Sequence, residues 1–264
     1  MDVDADAAVA RRALPLVDLT DLSETCSVAD VEELCRRATG RYGSTAAVCI
    51  WPRFVSLAAD RLRGSGVRVA TVVNFPLGGT DVGATVAETV QAVADGADEI
   101  DVVLPFTSFL AGYTSVAVSM VQAVRTATPP PMKLKVILES GEYPDLDQVA
   151  AAARLAIEHG ADFVKTSTGK SAVSATLAAA VTIIEQIRRS GRPVGIKVAG
   201  GVRTVQQAER YLAIADEMMG PGWVSPATFR FGASGLLDGL EAAIAEAVEP
   251  RDVAAEPVSP RAGY

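Results

Sequence analysis

Two short stretches place an amine where a strand gives way to a glycine-rich turn. Phe163-Val164-Lys165-Thr166-Ser167-Thr168-Gly169-Lys170 opens with β-formers and runs into a polar turn. Gly195-Ile196-Lys197-Val198-Ala199-Gly200-Gly201-Val202-Arg203 repeats the layout of strand, internal lysine, glycine turn and cation. The chain has only five lysines (Lys133, Lys135, Lys165, Lys170 and Lys197) against nineteen arginines. Arginine stays protonated, whereas a lysine amine becomes a nucleophile once its pKa is lowered. A lysine is costly to bury unless it is paired or deprotonated. Two readings follow: an amine used in chemistry, or two buried structural salt bridges.

The elements that must hold these amines alternate regularly. Strands are expected at 14–19, 46–51, 68–74, 99–104, 133–139, 163–166, 195–198 and 229–232. Helical patterns fill 28–39, 54–65, 82–95, 108–126, 146–158, 174–190, 205–217 and 235–248, and Gly40, Gly66, Gly96, Gly160 and Gly191 mark helix ends. Eight βα units in this length predict a single (β/α)8 TIM barrel over residues 1–248. The turn after the first strand, Leu19-Thr20-Asp21-Leu22, lacks the glycines of a dinucleotide site. Residues 1–12 read as a short fraying helix, and the Pro-containing stretch 249–264 as a flexible tail.

Composition narrows the partners. A formal net charge of −8 with no basic stripe speaks against nucleic acid and anionic membranes. No run is apolar enough to span a bilayer, and the acidic start is unlike a signal peptide. Cys26, Cys35 and Cys49 lack CxxC spacing and fit reduced thiols in a cytoplasmic protein. The single histidine, His159, precedes Gly160 and reads as a helix-end residue, so a His-ligated metal is not expected. Neither metal nor cofactor is implied, and a homodimer is compatible with the composition.

In such a barrel chemistry sits at the C-terminal strand ends. Strand alternation directs Asp18, Asp101, Glu139, Lys135, Lys165 and Lys197 inward, three acids against three amines. Lys165 and Lys197 lie on neighbouring strands. Two cations ~6 Å apart repel by about 2.8 kcal/mol at an effective dielectric near 20. That is about two pKa units, with desolvation adding to it. One amine would then serve as a Schiff-base nucleophile while the other stays charged, and Asp101 could move protons or simply pair with lysine. The turns Thr168-Gly169-Lys170, Gly200-Gly201-Val202-Arg203 and Gly232-Ala233-Ser234-Gly235 are placed as a phosphate site would be, with Lys170 and Arg203 as cations.

These residues, together with Asp18-Leu19-Thr20, Ala47-Val48-Cys49-Ile50-Trp51-Pro52-Arg53, Glu99-Ile100-Asp101-Val102-Val103 and Phe229-Arg230-Phe231-Gly232-Ala233-Ser234, resemble the 2-deoxyribose-5-phosphate aldolases. The resemblance runs from about Asp18 to Leu240. It implies a class I aldolase acting without metal, which reversibly cleaves 2-deoxy-D-ribose 5-phosphate to acetaldehyde and D-glyceraldehyde 3-phosphate. It makes Lys165 the imine lysine, Lys197 the group that lowers its pKa and Asp101 a proton relay. Asp18, Thr20, Cys49, Thr168 and Lys170 would contact substrate. Gly169, Gly200, Gly201, Arg203, Gly232, Ser234 and Gly235 would hold phosphate. Gly235 departs from the family, where serine often follows Ser234, and Val198 stands where proline is common.

Members with longer tails end in tyrosine, so the resemblance makes Tyr264 a proton donor at the mouth of the barrel, against a plain reading of a loose end. Cys49 is expected to border that mouth or else to be buried and inert. Rival functions are another Schiff-base aldolase with a different donor, a phosphosugar isomerase working through a carboxylate base, and a non-catalytic sugar-phosphate sensor.

Overall fold

The structure, a computed structural model, describes residues 3–248. Eight parallel strands close into a barrel: β1 (Val17–Asp21), β2 (Ala47–Ile50), β3 (Arg68–Val73), β4 (Glu99–Val103), β5 (Lys133–Ile137), β6 (Phe163–Lys165), β7 (Gly195–Ala199) and β8 (Phe229–Ala233). Each strand pairs with its neighbour in the chain. Closure comes from β1 against β8, with Val17 opposite Phe231 and Leu19 opposite Ala233. Helices cover the outside, and the main core lies between them and the outward faces of the strands.

Most strand residues are buried on both faces, which explains their near-continuous apolar runs. The inside of the barrel is divided. Strands β2 and β3 contribute the small or short residues Ala47, Cys49, Ala70 and Val72. The remaining strands send in long charged side chains, and the small ones opposite leave them room.

Helix starts follow side-chain caps. Ser27, Asp81, Asp145, Thr176 and Thr204 each accept a hydrogen bond from an amide of the first turn.

Four expectations shift. Residues 14–16 form a 3-10 turn, so β1 begins at Val17. The helix expected over 108–126 is two, Phe106–Leu110 and Thr114–Ala127, because Gly112 turns the chain at φ 89°. Gly40 ends no helix by a left-handed turn; it pairs with Gly43 in a two-stranded hairpin. The first helix, Val3–Ala13, does not fray: it packs on the last helix, Leu236–Val248, and buries Ala7, Ala10 and Ala13. Its Arg12 reaches Asp216 at 2.5 Å.

Among the described residues no helix is long and apolar enough to cross a membrane. The tail expected over 249–264, Tyr264 included, lies outside the described residues.

Candidate active site

Strand β6 spans only three residues. Past Lys165 the Thr166 hydroxyl takes over its pairing with β7, donating to the Ala199 carbonyl at 3.3 Å and accepting from the Ala199 amide at 3.0 Å. Lys165 therefore projects at the very end of the ladder, 3% exposed, in register with Lys197 on β7. Lys165 forms part of the wall of a cavity of 550 Å³ at the C-terminal mouth. Thr20, Thr168, Gly169, Lys170, Gly200, Gly201, Arg203, Gly232, Ser234 and Gly235 line the same cavity.

Beneath Lys165 lies a closed ring of alternating charges. Asp101 on β4 accepts from Lys135 Nζ on Oδ1 at 2.7 Å and from Lys197 Nζ on Oδ2 at 2.8 Å. Lys197 also meets Asp18 Oδ2 at 2.6 Å. Asp18 Oδ1 accepts from Arg230 at 2.6 Å, Arg230 donates to Glu99 at 3.0 Å, and Glu99 returns to Lys135 at 2.6 Å. Lys165 hangs from this ring by one link, Nζ to Asp101 Oδ2 at 2.8 Å.

The electrostatic consequences follow from burial and sign. Burial is the main force pushing the Lys165 amine below its ordinary pKa; Asp101 opposes it and Lys197 adds to it. The repulsion between the two lysines, given first place in the sequence reading, is thus a contributor to a shift that desolvation leads. For Lys197, burial also works against the charge, but Asp101 and Asp18 outweigh it and hold the ammonium well above the usual range. Asp101 is likewise held well below the carboxylate range, burial being overcome by Lys135, Lys165 and Lys197. One amine is biased toward its neutral form and its neighbour toward the cation.

Several residues are placed differently from expectation. Asp18 and Cys49 are completely buried and line no part of the cavity; Asp18 belongs to the charge ring. Cys49 Sγ lies 4.0 Å from Asp101 Oδ2, and burial raises its thiol pKa. Glu139 does not join the lysines. Strand β5 ends at Ile137, and Glu139 follows in a left-handed conformation, φ 61°, so strand alternation no longer aims it. Its carboxylate accepts from the Thr168 amide and hydroxyl and from the Ser171 hydroxyl at 2.9 Å, fastening the 168–171 turn.

Gly232 has a role beyond the turn: a Cβ there would sit 2.9 Å from Lys197 Cε and 2.9 Å from Ala199 Cβ. Lys170 Nζ donates to the Leu22 carbonyl at 2.8 Å, bridging two lips of the cavity. Gly200 and Gly201 both take positive φ, 84° and 87°, which exposes backbone at the rim where a side chain at Gly200 would strike Ser174.

Glu99 and Arg230 were given no role in the sequence reading, although both stand in quoted motifs. The signal was available: Glu99 is two residues before Asp101 and Arg230 two before Gly232, on the same inward faces.

A family model described as "DeoC/LacD family aldolase" matches residues 9–242. The chain is 50% identical over 239 residues to the deoxyribose-phosphate aldolase of Agrobacterium fabrum, covering 90% of this chain and 92% of that one. A solved structure from Toxoplasma gondii ME49, assigned as a deoxyribose-phosphate aldolase, superposes with a TM-score of 0.86 at 25% identity, covering 93% of this chain and 97% of that one. A similarly assigned structure from Coccidioides immitis gives 0.77 at 28% identity, with coverage of 89% and 85%. The chain is a (β/α)8 aldolase of the DeoC/LacD family.

Proposed function

We propose that the chain cleaves 2-deoxy-D-ribose 5-phosphate reversibly to acetaldehyde and D-glyceraldehyde 3-phosphate through a Schiff base on Lys165. The observation carrying this reading is the half-shared carboxylate: Lys165, at the floor of an open cavity, shares Asp101 Oδ2 with a lysine that keeps its charge. The 50% identical relative supports the choice of substrate.

In the proposed sequence the neutral Lys165 amine attacks the C1 aldehyde of the open-chain sugar, and loss of water gives a protonated imine. Removal of the C3 hydroxyl proton breaks the C2–C3 bond. The bonding electrons enter the imine as an enamine, and glyceraldehyde 3-phosphate leaves. Protonation at C2 and hydrolysis then release acetaldehyde and the free amine. Asp101, held ionised by its three amine partners, is the group placed to pass protons through water. Lys197 supplies fixed positive charge close to the reacting nitrogen. Thr20, Thr168 and Lys170 are the proposed sugar contacts, and Gly169, Gly200, Gly201, Arg203, Gly232, Ser234 and Gly235 the phosphate cradle. The Tyr264 phenol is the proposed donor at C2.

Borohydride reduction in the presence of acetaldehyde, followed by peptide mapping, tests the reading. It should leave an ethyl group on Lys165; an unmodified Lys165, or a label on Lys197, would overturn it. Acetaldehyde rather than dihydroxyacetone as the product separates this reading from an aldolase with another donor. Residence in the cytoplasm and a homodimeric state complete the proposal. The three free, buried cysteines support the former, and light scattering across a range of concentrations decides the latter.

A further inference from the structure

The charge ring is complete without Lys165. Asp18, Asp101 and Glu99 are matched by Lys135, Lys197 and Arg230, each acid lying between two cations. A protonated Lys165 is therefore surplus charge in a buried site. Arg230 and Glu99 close the ring at the far side. They line a separate cavity of 520 Å³ at the N-terminal end of the barrel, with Pro15, Ala46 and Pro226, and no part of the cavity containing Lys165. Arg230 is fixed there by its Nε donating to the Pro226 carbonyl at 2.5 Å and by its guanidinium, 5.5 Å from the Phe163 ring centroid.

We propose that Arg230 and Glu99 are positioning residues that set the charge state of Lys165 from the opposite end of the barrel, by fixing the charge balance of the ring it hangs from. The inference rests on Lys165 being the imine lysine. Influence passes from Arg230 through Asp18 and Lys197, and also through Glu99 and Lys135, to Asp101 and so to Lys165. The titratable groups nearest Lys165 from the surrounding strands are Asp101, Lys197 and Cys49, with Asp18, Lys135, Glu99 and Arg230 deeper in the barrel. Strand β3 presents only Ala70 and Val72; the loops and helix ends above add Glu139, Lys170 and Arg203, with Asp21, Asp30, Glu33 and Arg37 at the rim of the cavity.

Removing a cation from the ring calls for a proton elsewhere, and removing an acid releases one. The two changes should move Lys165 in opposite directions and cancel when combined. The experiment measures the acid limb of kcat/KM and of borohydride trapping with acetaldehyde against pH, for the parent, Arg230→Met, Glu99→Gln, the double variant and Arg230→Lys.

In Arg230→Met the limb should rise by about one pH unit or more, a roughly tenfold loss near neutrality recovered at higher pH. In Glu99→Gln it should fall, while the double variant and Arg230→Lys should lie near the parent. If Arg230→Met does not fold, the fall in Glu99→Gln and its reversal in the double variant decide alone. Limbs that stay put, or that shift the same way in both single variants, overturn the inference, since a purely structural role changes amplitude without opposite shifts. Peptide mapping of the trapped parent separates the two layers. A label elsewhere than Lys165 sinks the catalytic reading itself, whereas a label on Lys165 with unmoved limbs sinks only this one.

Discussion

Lys165 and Lys197 donate to one and the same oxygen, Oδ2 of Asp101, each at 2.8 Å. The shared acceptor ties the two amines together. Lys197 has a second carboxylate in Asp18 and holds its proton more tightly than a free lysine; Lys165 has only its share of Asp101 and, being buried, holds its proton less tightly. Lys165→Arg retains charge and approximate size but presents a guanidinium, which forms no imine. That variant should fold normally and lose both trapping and turnover. Trapping that reappears on Lys197 would reverse the two roles.

Lys197→Leu acts on the same atom from the other side. It removes a cation that lowers the Lys165 pKa and leaves Asp101 Oδ2 to Lys165 alone, and both changes favour the ammonium. The acid limb of kcat/KM should rise by about one pH unit or more. Asp18 and Asp101 each lose a buried partner, so stability should fall by about 3–5 kcal/mol, readable by denaturant titration. An unmoved limb would mean that Lys197 holds geometry only.

Phosphate binding is best probed at Ser234. It is exposed on the cavity wall, so Ser234→Glu places a negative charge at the rim without disturbing packing. KM for the phosphorylated sugar should rise tenfold or more, with little change for unphosphorylated 2-deoxyribose. Gly232→Val is a poor substitute, because its side chain would press on Lys197 Cε and harm both substrates. Equal losses on both sugars in Ser234→Glu would place the phosphate elsewhere.

The buried ring also sets the pH range of the fold. Asp101 is ionised more easily in the folded protein than in the unfolded chain. Its stabilisation is therefore present above the ordinary carboxylate pKa of about 4 and is lost as pH falls below it. Lys197 binds its proton more tightly when folded. Its stabilisation holds below about 10.4 and is lost as pH rises beyond. The joint contribution of these two groups should be level between these limits and fall on both sides, read by thermal unfolding against pH. Lys197→Leu should remove the alkaline shoulder contributed by this group.

Cys49 is sealed against β4, with its thiol pushed up by burial and facing the Asp101 carboxylate. Iodoacetamide should leave it unmodified in the native enzyme at neutral pH and reach it only on unfolding. Rapid alkylation under native conditions, read by mass spectrometry, would show that the barrel interior opens.

The sequence made the barrel legible because its strand and helix periods alternate without interruption, and because Lys165 and Lys197 each stand shortly before a glycine turn. Lys165, Lys197 and Asp101 could be brought together from parity and strand order alone. Parity failed at Glu139, where the strand stops two residues short and a left-handed residue redirects the carboxylate to Thr168. The partners of Asp18 were hidden for another reason: Arg230 sits on the last strand, and only closure of β8 on β1 brings it to Asp18. The split at Gly112 was masked because the residues on either side still read as helix formers.

That closure has a consequence for the order in which the molecule comes into being. Asp18 leaves the ribosome early, yet its partner Arg230 follows 212 residues later. Until then the acid destined for the interior can be matched by Lys197 on Oδ2 but not on Oδ1, so burial of β1 is only partly compensated. Strand β8 supplies the second close cation and completes the matching of the buried acid on β1. An incomplete barrel is therefore also short of charge balance, and the ring beneath Lys165 closes only once β8 has been made.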